Sequence, residues 1–130
     1  TLLLFINSVC GCSAGSARPG VSLALQHRVI PDRCVTVFAG VDREAVIEAR
    51  RHIIDVPPSS PFISLFQKGV LIFTLQRYQI EVMSAEMIAR ELREVFDTYC
   101  RMPGPSVPVD VYAQVDHAVT CGSKIPQYGV

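Results

Sequence analysis

The apolar run Leu2-Leu3-Leu4-Phe5-Ile6 has no polar residue at alternate positions, and it leads through Asn7-Ser8-Val9 into two thiols, Cys10-Gly11-Cys12. A strand with one wet face alternates apolar and polar side chains, whereas an unbroken apolar run has to be covered on both faces. Residues 2–7 therefore read as a buried strand in a layered α/β domain. The stretch 11–28 reads as a helix, so the thiols fall where strand turns into helix. The first turn of a helix has unpaired N–H groups and the positive end of the helix dipole, and both favour thiolate over thiol.

The rest of the chain alternates the same two periods. Pro19-Gly20 predicts a break and kink in the first helix. Residues 34–39, Cys-Val-Thr-Val-Phe-Ala, are β-branched and apolar and read as a second strand, ended by Gly40. Asp42 is the expected N-cap of a helix over 43–54, with Val46, Ile53 and Ile54 at helical spacing. Asp55 to Pro61, with prolines at 57, 58 and 61, is a rigid loop. Phe62–Phe66 and Val70–Leu75 flank Gln67-Lys68-Gly69, a hairpin signature. Ser84 is the expected cap of a last helix to about Cys100, with Ile88, Leu92, Val95, Phe96 and Tyr99 as its apolar stripe.

Strand, helix, strand, helix, hairpin, helix is thus the predicted order. Two strands joined through a helix run parallel with a right-handed crossover, and the hairpin adds antiparallel strands. The expected fold is a mixed four-stranded central sheet flanked by helices, which is the thioredoxin-like arrangement. Residues 1–100 form that domain. From Met102 the character changes: Pro103, Pro105 and Pro108 impose a stiff path, and alternation over Val109, Val111, Ala113 and Val115 predicts an edge strand in an extension, residues 101–130. Because Thr1 opens directly onto the first apolar run, part of the domain's N-terminal side is expected to be missing.

Charge and cysteine usage narrow the function. Twelve acidic and twelve basic residues balance, so no basic excess points to nucleic acid or an anionic membrane. The longest apolar run is far short of the roughly 20 residues that span a bilayer. Five cysteines, an odd number at low density, argue against a secreted disulfide scaffold and for a cytoplasmic protein with a reactive pair and spare thiols.

Asn7-Ser8-Val9-Cys10-Gly11-Cys12-Ser13-Ala14-Gly15, then Ala17-Arg18-Pro19, resembles the bacilliredoxin signature. So do Val35-Thr36-Val37-Phe38-Ala39-Gly40 with Asp42, and Pro58-Ser59-Ser60-Pro61, and a helix ending near Phe96-Asp97 and Cys100. The resemblance covers roughly Leu2 to Cys100. It implies a thioredoxin-fold protein that removes bacillithiol from S-bacillithiolated client proteins, with Cys10 as the attacking cysteine and Cys12 as the second active-site thiol. It implies bacillithiol as co-substrate, no tightly bound cofactor, and a bacillithiol disulfide reductase as a further partner. Family members carry a helical N-terminal region and a first strand ahead of this segment, and a shorter end than the tail with Cys121. A sheet edge left open in this way makes a homodimer an expected arrangement.

A disulfide between Cys10 and Cys12 would close a very small ring. Strain of that kind makes a disulfide easier to reduce, and Gly11 is the residue that tolerates the distortion. Ser60-Pro61 is the expected cis-proline step facing the thiols, by analogy with thioredoxin-like proteins. Arg18, about two turns into the first helix, is a candidate contact for the carboxylates of bacillithiol. Cys34 is expected to be a buried small apolar residue, Cys100 to sit at the surface, and Cys121 to be an inert thiol in a flexible tail, with contact to Cys10 or another molecule as the alternative. His27 and His52 near helix ends suit the dipole, and with His117 they show no metal spacing. Two other readings stand beside the redox one. Cys10 and Cys12 with Cys34 or Cys121 would hold zinc or an iron–sulfur cluster, or the protein would be a general, weak disulfide isomerase.

Overall fold

The computed structural model describes residues 1–115. Four strands form the central sheet: β1 (Leu2–Asn7), β3 (Arg33–Phe38), β4 (Phe62–Gln67) and β5 (Val70–Leu75). Their order is β3-β1-β4-β5, with β1 and β3 parallel and the other pairs antiparallel, as expected for a mixed sheet of thioredoxin-like type. β1 is buried on both faces. Leu3 and Phe5 meet one core with Val21, Ile88, Leu92 and Phe96, while Leu4 and Ile6 meet a second with Val37, Val46, Phe62 and Phe66. The lack of polar alternation in the first residues is thereby accounted for.

Two helices cover the first face: α1 (Arg18–Ala24) and α4 (Ala85–Tyr99). Ile88, Leu92 and Phe96 of α4 are fully buried. At about 1.5–3 kcal/mol per buried side chain, this stripe anchors the layer. Ser84 caps α4, its hydroxyl accepting the Met87 N–H at 3.2 Å. The helix α2 (Arg43–Arg51) covers the second face with Val46 alone fully buried; Ile53 packs on that core from beyond its end, and Ile54 is exposed. Asp42 stands at the N-cap of α2, its carbonyl accepting the Val46 N–H at 2.9 Å, but its side chain makes no cap bond. Its carboxylate accepts the Phe38 N–H at 3.0 Å, tying the turn back to β3.

The first helix differs from expectation at Pro19. Residues 11–24 are helical throughout, and no break occurs at Pro19-Gly20. A π-helical turn over Ser13–Ala17 comes first, with the Arg18 N–H bonded to the Ser13 carbonyl. A proline inside an α-helix lacks an N–H and crowds the carbonyl four residues back; the wider π turn just upstream supplies the extra room. Gly20 then meets α4 so closely that a Cβ would lie 2.8 Å from Ile88 Cβ.

The helix ends at Ala24 rather than near residue 28. This frees β2 (Val29–Ile30) to pair antiparallel with β6 (Met102–Pro103). Gly104 N–H on Arg28 O and Ser106 N–H on Leu25 O extend the tie. No edge strand forms over 109–115. Val109–Tyr112 is a short helix, α5, with no buried residue; alternation stabilises a strand only where a partner and a covered face exist. The hairpin turn is Lys68-Gly69, both at positive φ (50° and 81°), the two-residue turn whose twist suits paired strands. His117 and Cys121 lie outside the described residues. Among the described residues, no helix is long and apolar enough to cross a membrane.

Candidate active site

Strand register brings three chain segments to one end of the sheet. Ile6 of β1 pairs with Phe62 of β4, and Ile63 pairs with Leu75 of β5. The residues after β1, before β4 and after β5 therefore meet: Ser8 to Ser13, Ser59 to Pro61, and Arg77 at the start of α3 (Arg77–Ile80).

Cys10 stands in the N-cap place of the helical run, its carbonyl accepting the Ala14 N–H at 3.1 Å. The amides just after it have no partner inside the helix, and those of Cys12 and Ser13 favour the Cys10 thiolate. The Ser8 hydroxyl donates to the same sulfur at 2.8 Å. Ser8 and Ser13 hydroxyls are 3.2 Å apart, and the Ser8 N–H is shared between Ser13 Oγ (3.1 Å) and Asn7 Oδ1 (2.9 Å). These three polar side chains are buried and satisfy one another, as buried polar groups must.

Partial burial works against the Cys10 thiolate. The Ser8 hydroxyl, the two backbone amides and the positive charge of Arg77 outweigh it, so Cys10 titrates below the ordinary cysteine range. Cys12 goes the other way: burial raises it, and the neighbouring Cys10 charge raises it further. Gly11, the intervening residue, is half-buried.

Ser60-Pro61 is a cis peptide and Pro61 is fully buried at the head of β4. The Ser60 carbonyl accepts Arg77 Nη1 at 3.0 Å, and Ser59 Oγ accepts the Arg77 N–H at 3.4 Å. Arg18 reaches back rather than outward: Nη1 donates to the Ser8 carbonyl at 3.1 Å and to Asn7 Oδ1 at 3.5 Å. It braces the loop that carries Cys10.

Residues 1–100 match the family model described as disulphide isomerase. A bacilliredoxin of Cytophaga hutchinsonii is 52% identical over 97 residues, covering 75% of this chain and 72% of the relative. One of Salinibacter ruber is 46% identical over 129 residues, 97% of this chain and 73% of the relative. One of Staphylococcus aureus is 45% identical over 100 residues, 77% and 69%. The chain belongs to the bacilliredoxin family. It is a thiol–disulfide oxidoreductase.

Two thiols away from Cys10 and Cys12 reverse their expected settings. Cys34 is exposed, because β3 is an edge strand whose first residues have no covering layer. Cys100 is buried, because the last turn of α4 tucks it into the core beside Phe96 and Leu92. Among the described residues no third His, Cys, Asp or Glu joins Cys10 and Cys12 in a group able to hold a metal; Cys34 is on another strand. His27 is not at a helix end but in the turn beyond it, bonded to Asp97 at 2.8 Å. A cavity of about 610 Å³ between α2 and the β3–β1 side of the sheet, lined by Leu4, Val35, Val37 and Ala49, does not touch the thiols. Arg77 was not visible as a site residue in the sequence. Its one signal is position, directly after the hairpin that follows Pro61.

Proposed function

We propose that the protein removes bacillithiol from S-bacillithiolated client proteins in the cytoplasm. Cys10 is the attacking thiolate and Cys12 the second active-site thiol, with Gly11, Ser60 and Pro61 shaping the site. The observation that carries the reading is the Cys10 sulfur at the N-cap, receiving the Ser8 hydroxyl at 2.8 Å and favoured as thiolate, while its neighbour Cys12 is held as a thiol. A thiolate is the attacking species in disulfide exchange. The relatives' name, bacilliredoxin, supports bacillithiol as the thiol removed.

In the first step Cys10 S⁻ attacks the bacillithiol sulfur. A Cys10–bacillithiol disulfide forms, the client–bacillithiol bond breaks, and the client cysteine leaves as thiolate and takes up a proton. In the second, either Cys12 deprotonates and attacks Cys10 Sγ, releasing bacillithiol and leaving a Cys10–Cys12 disulfide, or free bacillithiol thiolate attacks and leaves as bacillithiol disulfide. A reductase for that disulfide returns the thiol pool. Residues 1–100 act as the catalytic unit, with 101–130 an extension.

Incubation with a bacillithiolated client, followed by mass spectrometry, tests this. Wild type releases the client, Cys10→Ser does not, and Cys12→Ser retains bacillithiol on Cys10. Release by Cys10→Ser overturns the assignment. General disulfide isomerisation is a second reading, favoured by the description of the matching family. It predicts reactivation of a scrambled disulfide protein by the Cys12→Ser variant with no bacillithiol present.

A further inference from the structure

The guanidinium of Arg77 is a cationic group whose charge acts on both thiols from a strand end remote from them in sequence. Its placement follows from register: the end of β5 lies beside the start of β4, which lies beside the end of β1. Two contacts fix the residue to the proline loop, its N–H on Ser59 Oγ and its Nη1 on the Ser60 carbonyl. The side chain remains 48% exposed, and Nε lies 3.9 Å from Glu81 Oε2. None of these contacts uses Nη2. An arginine presents a planar fork suited to a carboxylate, and these contacts leave part of that fork unused on a half-exposed side chain.

Arg18, the other arginine of the site, is differently employed. Its Nη1 is committed to Ser8 O and Asn7 Oδ1, and the residue is half-buried under the loop. The two arginines thus grip the two loops that bracket Cys10, each by a backbone carbonyl, and Arg77 is the more exposed of the two. A carboxylate-bearing thiol arriving at an anionic Cys10 is repelled by that charge. The Arg77 charge, which favours the thiolate of both cysteines, offsets the repulsion.

We propose that Arg77 is a specificity-determining residue of this site, docking the carboxylate of an anionic low-molecular-weight thiol while its sulfur meets Cys10. This deepens the debacillithiolation reading and rests on it for the natural substrate. Glu81 competes for the same guanidinium and sets how strongly the dock holds an anion.

The test compares two small disulfides in stopped flow at low salt: dithiobis(nitrobenzoate), with a carboxylate on each ring, and uncharged dithiodipyridine. In both reactions Cys10 sulfur bonds one probe sulfur, the probe S–S bond breaks, and an arylthiolate leaves with the electron pair. Arg77→Gln lowers the ratio of anionic to neutral rate about fivefold, the size of a partly exposed charged contact. Glu81→Gln raises the ratio and Arg77→Lys gives an intermediate value. Arg18→Gln slows both probes alike. An unchanged ratio in Arg77→Gln and Glu81→Gln overturns the proposal, since a residue that acts through the thiolate alone slows both probes equally. Neither probe contains bacillithiol, so this result stands apart from whether bacillithiolated clients are substrates. With such a client, Arg77→Gln raises KM more than it lowers kcat.

Discussion

The hydroxyl of Ser8 and the sulfur of Cys10 are 2.8 Å apart, two residues from each other in sequence, with the serine as donor. The serine has a single proton. When it goes to the sulfur, Ser13, 3.2 Å away, is left to donate to Ser8 Oγ, and the pair forms a short relay aimed at the thiolate. Ser8→Ala removes the relay's last bond. At neutral pH it slows alkylation of Cys10 by iodoacetamide about fivefold, equivalent to roughly 1 kcal/mol for one hydrogen bond. The greater intrinsic nucleophilicity of a more basic thiolate returns part of the loss. Equal rates for Ser8→Ala and wild type across pH would remove Ser8 from the thiolate's support.

Cys10 and Cys12 separate in pH. Cys10 is held below the ordinary range, so its thiolate appears at lower pH than that of a free cysteine; Cys12 is held above, so its thiolate appears later. As pH rises, labelling mapped by mass spectrometry therefore reaches Cys10 first, below the usual thiol value near 8.5, and Cys12 only above it. Labelling of Cys12 first contradicts the geometry of the cap.

Gly20 is a packing residue. A Cβ there would sit 2.8 Å from both Ile88 Cβ and Cγ2 and 3.1 Å from the Ala85 carbonyl. Ile88 Cβ and the Ala85 carbonyl cannot swing aside without moving α4. Gly20→Ala gains about 1 kcal/mol of helix propensity but costs about 1–3 kcal/mol in overpacking, so the urea midpoint falls. A raised midpoint would mean that the helices part freely, and the α1–α4 contact would lose its claim as the fold's tight seam.

Ser84→Ala removes the cap of α4 and costs about 1 kcal/mol in chemical denaturation. Ser84→Asp, which keeps an acceptor for the Met87 N–H and adds a favourable charge at the helix start, retains wild-type stability. A loss in Ser84→Asp equal to that in Ser84→Ala would point to something other than capping.

Elements defined by local pattern were legible in the chain. The apolar run before Cys10 identified a buried strand, Gln67-Lys68-Gly69 a hairpin, and Ser84 with Ile88, Leu92 and Phe96 a capped amphipathic helix. Features decided by tertiary neighbours were not. Cys34 looks like a core residue by type, yet β3 ends up at an edge; Cys100 looks like a terminal surface residue, yet α4 turns it inward. The π turn before Pro19 has no composition of its own, and β2 and β6 are too short to show a period. Arg77 became a site residue only through the register of three strands, which no window of sequence contains.

A strand that is apolar on both faces has a weakness. Sliding β1 by one residue would swap Leu3 and Phe5 with Leu4 and Ile6, and oil would still meet oil on each side. Hydrophobicity does not hold this strand in place. Two hydroxyls do: Ser64 Oγ donates to the Leu4 carbonyl at 3.2 Å and Thr36 Oγ1 to the Phe5 carbonyl at 3.0 Å, one from each neighbouring strand. A slip of one residue is about 3.3 Å, more than the whole distance between Ser8 and the Cys10 sulfur. The two pins therefore work as a ruler laid inside the sheet, and the position of the reactive sulfur is read off its far end.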